Sequence, residues 1–466
     1  MRLTNTLFLT GLHCHKLLWS RAKNEEIDIS ATHQNMRDPE NDLFIEIACR
    51  TLSEDYTSET HVSFSFEDYA ITVDCIGRQG DQTDIFLVYP TSRIRQSAYF
   101  LLAYWQWVLK KCGIEARDFY VIHCDQQYQR GKTLDPHLLC KRVLVNDTVA
   151  RAFANMEGII STLSFVMNHT KMPAIDIGSH CSYPKPCSMM ESCWKHLPSP
   201  SVFDIFGLPR KTKLSMYRRG ITSMKEAFDT LTPNSIQKKQ FDAEFNNVSF
   251  IHKPALKTFI SAVRYPLHFI DFEAVQFCIP RYPGTSSFQQ IPFQFSLHFM
   301  SSPESDLKHV DFIAPTGRDP RRMFAETLCK HVKKTGSFFA FNAAFERQVL
   351  SELSEKFPEL ASSLMSIHSR IIDISLPFNR MDYYIKEMGG KRSLKSLFHA
   401  LVDATPYLSL PIMNGKSASD TYISLHTIKD VDEKNRILGD LQRYCHMDTL
   451  ALVRLWQDIC IASLPD

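Results

Sequence analysis

Two carboxylates stand inside an otherwise apolar run, Leu267-His268-Phe269-Ile270-Asp271-Phe272-Glu273-Ala274-Val275, and no other feature of the chain limits its folding so sharply. A run of this kind is expected to form a buried strand. Residues two apart on a strand point to the same side, so Asp271 and Glu273 leave one face while Ile270 and Phe272 leave the other. Two acids are costly to bury unless something cationic meets them. The spacing alone is not diagnostic: Asp242-Ala243-Glu244 repeats it in a polar, helical stretch. A strand end open to water also accommodates such a pair.

The context comes from the rest of the chain. At 466 residues it exceeds one ordinary core, and about 150 residues per domain leads to an expectation of two or three domains. Hydrophobic residues at 44% and charged residues at 22% describe a globular chain, neither a disordered tail nor a coiled-coil rod. The net charge of +2 excludes a protein that grips polyanions by bulk charge, so any nucleic-acid contact has to come from local patches. The amino-terminal apolar run is broken by His13, His15 and Lys16, and no stretch of about 18 apolar residues occurs. The expectation is a cytoplasmic protein with no membrane contact, whose thirteen cysteines serve as core residues or metal ligands rather than disulfides.

Texture changes twice along the chain. Ala70–Cys75 and Asp84–Tyr89 read as strands separated by the turn-like GRQGDQ, followed by a helix over 97–111 and a strand over 119–123. The stretch from Pro198 to about Tyr265 reads as short polar helices, with Arg210, Lys211, Lys213, Arg218 and Arg219 forming a basic run that serves as a solvated face or contacts phosphates. From Pro266 onward, LHFIDFEAV, PFQFSLHFM and HVDFIAP predict an antiparallel meander. Asp319 is expected to cap the helix that follows and Gly336 to stop it; SFFAFN then reads as a fourth strand, with short elements at 370–374 and 393–401 and a closing helix over about 438–461.

The later acids gain meaning from this frame. Glu346, in Asn342-Ala343-Ala344-Phe345-Glu346, falls in the first turn of a helix at a strand's carboxyl end, where α/β sheets collect ligands. Tyr444 and Asp448, four apart in a helical pattern, share one face. Four acids at strand ends and helix starts suit a pair of hard cations such as Mg²⁺ or Mn²⁺, which can activate water and stabilise the leaving oxygen of a phosphodiester. Tyr444 would orient or deprotonate that water.

HFIDFEA, AFNAAFE and YCHMDTLAL resemble the three exonuclease motifs of the DnaQ-like, ribonuclease-H-like DEDD superfamily in its tyrosine subclass. The resemblance implies a 3′→5′ exonuclease acting on DNA or RNA with a free 3′ end, with Asp271, Glu273, Glu346 and Asp448 holding two metals and Tyr444 catalytic. The family's second motif usually ends in aspartate, and Glu346 is one methylene longer. Asp373, in RIIDISLPF, is a weaker candidate for which a structural role is the expectation.

Cys181, Cys187 and Cys193 recur every sixth residue in a stretch whose prolines and glycine forbid a continuous helix, a pattern open to zinc, with His180 or His15 as an added ligand, to an iron–sulfur cluster, or to ordinary packing. Cys14, in GLHCHKLLW, resembles the leading cysteine of the iron–sulfur RecB-type PD-(D/E)XK nucleases. That resemblance implies a 4Fe–4S cluster on Cys14, Cys181, Cys187 and Cys193, with zinc as the alternative. Asp74 and Gln106 fit the nuclease motif, but its acid-x-lysine strand is replaced by Leu87-Val88-Tyr89, so an inactive nuclease fold is expected unless a displaced acid such as Asp84 compensates.

From CxKxLW through the cysteines to DFE, NxxFE and YCxxDT, the chain resembles an uncharacterised bacterial family, domain of unknown function two-seven-seven-nine. The expected architecture is α/β and multidomain: a PD-(D/E)XK-like module over 1–197, a helical connector over 198–264 and a ribonuclease-H-like domain with a mixed sheet over 265–466. The competing reading is a catalytically inactive nucleic-acid-binding or scaffold protein with a structural iron–sulfur or zinc site.

Overall fold

In the computed structural model, which describes residues 1–23, 39–183, 186–402, 407 and 410–465, the chain is a mixed α/β protein that divides into two compact units. The first comprises Met1–His196 with Phe277–Gln289, and the second Leu197–Gln276 with Gln290–Asp466. No helix among the described residues is long and apolar enough to cross a membrane.

The first unit is built on one five-stranded sheet, β1 (Thr57–Phe66), β2 (Tyr69–Gln79), β3 (Gln82–Tyr89), β4 (Phe119–Cys124) and β5 (Cys140–Leu144), in that spatial order. All neighbours are antiparallel except β3 and β4. A parallel pair needs a crossover, and the helix Gln96–Lys111 supplies it, burying Leu102, Trp105 and Val108 in one cluster with Val73, Leu87 and Val121. The GRQGDQ segment is mostly strand: β2 runs on through Gln79 and β3 begins at Gln82, leaving Gly80 and Asp81 as a two-residue hairpin loop. The opposite sheet face gathers Phe44, Cys49, Cys75, Phe86, Cys124 and Cys278.

In the second unit, β6 (Phe250–Ile251) pairs only with β12 (Tyr383–Tyr384), while β7 (Leu267–Val275), β8 (Ile291–Met300), β9 (Lys308–Ile313), β10 (Ser337–Ala340) and β11 (Ile371–Asp373) form a mixed sheet of order β11-β10-β7-β8-β9. The predicted meander is present as β7-β8-β9, with β10 and β11 added in parallel on the other side of β7. Alternation along β7 divides two cores. Ile270 and Phe272 join Phe295, Phe324 and Leu350 on one face; Leu267 and Phe269 join Phe339, Leu452 and Trp456 on the other.

The closing helix is longer than its periodicity predicts, Val431–Ala462, because Asp430 caps it by accepting from the Glu433 N–H at 2.8 Å and Asp432 and Glu433 follow in its first turn. Its buried stripe, Leu441, Tyr444, Asp448, Leu452, Leu455 and Ile459, follows the 3.6-residue period, with two polar groups among apolar ones. The helix Arg321–His331 has Pro320 as its N-cap, one residue later than expected, and ends before Gly336. That glycine answers a different demand: at φ +89° it lies so close to Pro266 that an added Cβ would fall 1.9 Å from the Pro266 carbonyl oxygen.

Candidate functional site

On the β7 face covered by the helix Val431–Ala462, the apolar contacts of Leu267 and Phe269 give way toward the strand's carboxyl end to Asp271 and Glu273. Asp448 comes down from the helix to meet them, and one carboxylate oxygen from each of the three lies within 4.8 Å of the other two. Tyr444, one turn earlier on the same helix face, is buried beside them. Thus Asp271, Glu273, Asp448 and Tyr444 are brought together from segments more than 170 residues apart.

The electrostatics of the trio follow from crowding like charges away from water. Burial raises Asp271 well above the usual carboxylate range, and Asp448, Glu273 and Glu346 raise it further. Burial and then Asp448 push Glu273 up to about 8, against the pull of Lys395. Asp448 rises to about 6 by burial, held down by the Tyr407 hydroxyl, Lys395 and Tyr444. Acids this close titrate as a unit and cannot all ionise without more positive charge than one lysine provides. A divalent cation with oxygen ligands provides it.

Glu346 occupies the first turn of the helix Ala344–Lys356, directly after β10. It lies outside the 4.8 Å group, yet its charge is felt by Asp271 and Glu273. Its Oε2 is buried and takes no hydrogen bond, and burial lifts the group to about 7. An unpartnered buried carboxylate oxygen beside a crowded trio is the donor chemistry a hard metal ion satisfies. Asp373 is structural: its Oδ1 accepts from the Asn342 N–H at 3.0 Å, the Ser375 N–H at 2.9 Å and the Ser375 hydroxyl at 2.6 Å, tying the end of β10 to that of β11.

Three participants escape sequence reasoning. Tyr407 donates to Asp448 Oδ1 at 2.8 Å. Lys395, in the helix Leu394–Leu401, holds its ammonium 4.7 Å from the Tyr444 ring centroid and 5.2 Å from that of Tyr407. Cys445 donates its thiol to Asp271 Oδ2 at 3.4 Å. None belongs to a spaced pattern of its own; only Cys445, inside YCHMDT, had a flanking signal. Tyr444 itself is driven far above the normal phenol range, by burial first and then by Asp448, Glu273 and Asp271, so without added positive charge it stays a neutral donor.

In the first unit, Cys14, Cys181, Cys187 and Cys193 line one cavity of about 120 Å³, together with His180 and His196. Cys14 sits at the break between the helices Asn5–His13 and His15–Ala22, and the Cys187 N–H donates to the Cys181 carbonyl at 2.9 Å, which folds the cysteine-rich loop back on itself. Pro184 and Lys185 of that loop lie outside the described residues. Burial raises the thiols of Cys187 and Cys193, and the neighbouring cysteines add to it. Among the described residues, no three of the four sulfurs fall within 4.8 Å of one another, whereas four thiolates on one zinc at about 2.3 Å stand about 3.8 Å apart.

Asp74 accepts from the Val88 N–H at 2.9 Å and is pushed to about 7 by burial. Neither of the metal-ligating groups found among the described residues includes it. The Gln106 Oε1 is buried without a hydrogen bond. Asp84 is fully enclosed and committed: it pairs with Arg117, accepts from the Tyr56 hydroxyl at 2.9 Å and from the Asp118 N–H at 3.2 Å. In the basic run, Arg210, Lys211, Arg218 and Arg219 are exposed, but Lys213 turns inward and donates to the Phe203 carbonyl at 2.8 Å.

Fold and site together define a mixed α/β protein with a carboxylate trio, two of its members buried and Asp271 partly so, suited to a divalent cation. Residues 268–393 match the family model described as a domain of unknown function (DUF2779), a span that contains Asp271, Glu273 and Glu346 and stops before Tyr444 and Asp448. No curated protein matches the chain.

Proposed function

We propose that the second unit is a Mg²⁺- or Mn²⁺-dependent 3′→5′ exonuclease of the ribonuclease-H-like, DEDD tyrosine type, acting on DNA or RNA with a free 3′ end. The observation that carries this reading is the convergence of Asp271, Glu273 and Asp448 within 4.8 Å, with Tyr444 beside them and an unpartnered Glu346 oxygen at the margin. The sheet, a meander extended by two parallel strands on its first member, is the mixed sheet that this reading expects.

Asp271, Glu273 and Asp448 would hold the metal, with Glu346 contributing from its helix terminus. Two ions held there would supply water activation and charge stabilisation at the leaving oxygen. The chain's own contribution is to hold the acids in a site with little water, to keep the Tyr444 hydroxyl as a hydrogen-bond donor toward the attacking water, and to orient Asp448 through Tyr407. The exposed arginines and lysine of the 210–219 run are suited to guide a phosphate backbone.

For the first unit we infer an inactive nuclease-like module that holds a 4Fe–4S cluster on Cys14, Cys181, Cys187 and Cys193. The missing acid-x-lysine strand beside Asp74 speaks against a second catalytic centre, and four cysteines lining one cavity of about 120 Å³ support the cluster reading. A cytoplasmic setting goes with these readings.

Purified chain should shorten 3′-labelled single strands in Mg²⁺ or Mn²⁺, EDTA should stop it, and Asp271→Ala should abolish it. Undiminished activity in the Asp271→Ala protein would remove the assignment.

A further inference from the structure

A second cluster lies on the same sheet, outside the carboxylate site. His298 on β8 and His309 on β9 stand directly opposite each other in register, and His446 comes down from the helix Val431–Ala462. Ring centroids are 4.4 Å apart for His298 and His309, 4.7 Å for His298 and His446, and 4.3 Å for His309 and His446. One nitrogen from each ring lies within 4.8 Å of the other two. His446 Nδ1 and His309 Nε2 are 3.3 Å apart. Around a tetrahedral ion with metal–nitrogen bonds of about 2.0–2.1 Å, neighbouring nitrogens stand about 3.3 Å apart.

The surroundings prepare these rings as ligands. His298 Nδ1 lies 2.8 Å from the Thr449 hydroxyl. That hydroxyl is also within reach of the His446 carbonyl at 3.1 Å and the Ser296 hydroxyl at 2.6 Å, and Ser296 in turn lies 2.9 Å from His309 Nε2, a contact that a metal at that nitrogen displaces. A Thr449 that donates to the carbonyl accepts from His298 Nδ1–H, which selects the tautomer whose Nε2 lone pair is free for a metal; second partners of this kind orient ligating histidines. Asp311, opposite Ser296 in register and anchored by the Gln442 amide at 2.7 Å, adds a negative charge that favours a cation at His309 and His446. His298 is buried while His309 and His446 keep part of their surface, so the cluster has an open side.

We propose that His298, His309 and His446 form a three-imidazole site for a borderline divalent metal ion, zinc foremost, distinct from the carboxylate trio. Imidazole selects zinc-like ions where carboxylate selects magnesium or manganese, so the two sites sort their metals by ligand chemistry. The ion joins β8, β9 and the helix that carries Tyr444 and Asp448. It is a positioning site: Cys445 faces Asp271 from the residue next to His446, so a clamp at His446 sets the rotation of the helix at the acids. The fourth position is left to water.

The test is zinc titration of the metal-stripped full chain against a chromophoric chelator. One site should lose at least about a hundredfold in affinity in His309→Ala and in His446→Ala, weaken about 10- to 100-fold in Thr449→Val, and persist in Asp271→Asn. The cobalt(II) difference spectrum between wild type and His446→Ala should lack a thiolate-to-cobalt charge-transfer band, which separates this site from the cysteines. Wild-type zinc affinity in folded His309→Ala and His446→Ala proteins overturns the proposal. Should those not fold, unchanged affinity in both Thr449→Val and His309→Asn overturns it equally. Since the readout is affinity, failure of the exonuclease reading leaves this result unaffected.

Discussion

Asp74 and Asp271 begin from similar sequence settings, an acid at the end of a β-branched or aromatic run, and end in different chemistry. Asp74 has a single acidic neighbour, Asp42: its carboxylate accepts from the Val88 N–H, and the strand that would bring a second acid and a lysine brings Leu87, Val88 and Tyr89. Asp271 is joined by Glu273 from its own strand and Asp448 from a helix, with Glu346 near by. Both are raised by burial; one acid, Asp42, adds to it at Asp74, and three, Asp448, Glu273 and Glu346, add to it at Asp271. A single buried acid lowers its cost by taking a proton, whereas a group of acids is also a ligand set. Perturbation marks both places; companionship separates them.

The largest effect expected of this contrast is on activity. A metal's charge stabilisation is worth several kcal/mol, so Asp448→Asn should lower metal-dependent exonuclease turnover about a thousandfold or more, while Asp74→Asn leaves it within about twofold. Equal losses in the two variants would break the distinction and move catalysis toward the first unit.

Next comes the acid that could have compensated for Asp74. Because Asp84 is committed to Arg117, Tyr56 and the Asp118 N–H, Asp84→Ala should destabilise the chain by about 2–3 kcal/mol, mainly through polar partners left unpaired. Denaturant unfolding of the first unit checks this; an unaltered midpoint together with altered nuclease activity would mean that Asp84 serves chemistry instead.

The smallest effect concerns pH. The Asp74 carboxyl sits near 7 in the folded state against about 3.9 when unfolded, so between those values the native state holds a proton that the unfolded state does not. Its contribution to stability is therefore greatest below about pH 4 and is lost as pH rises through 7. Asp74→Asn should stabilise the protein on the order of 1–2 kcal/mol at pH 8 and hardly at all at pH 4. Melting temperatures across that range give the answer, and a gap that widens toward acid would contradict the assigned shift.

Much of the site was legible because it rests on local periods. Period two sends Asp271 and Glu273 to the same face of β7, and the four-residue spacing aligns Tyr444 with Asp448. The meander could be read as three apolar runs with breaks between them. Tyr407, Lys395 and the histidine cluster could not, because each matters only through partners distant in sequence, and a lone Tyr, Lys or His carries no spacing. The placement of Phe277–Gln289 in the first unit, between two strands of the second unit's sheet, was likewise invisible: nothing in its composition names the surface that buries Cys278 and Ile279.

Local chemistry in the chain thus specifies which side chains share a face, where helices begin, and that acids are present in an apolar strand. Folding specifies which of those acids meet. A trio held within 4.8 Å, a cavity ringed by four thiols and three imidazoles nitrogen to nitrogen are products of long-range packing. The physical reason is range: backbone geometry transmits order over a few residues, while desolvation and charge depend on whatever neighbours the fold supplies.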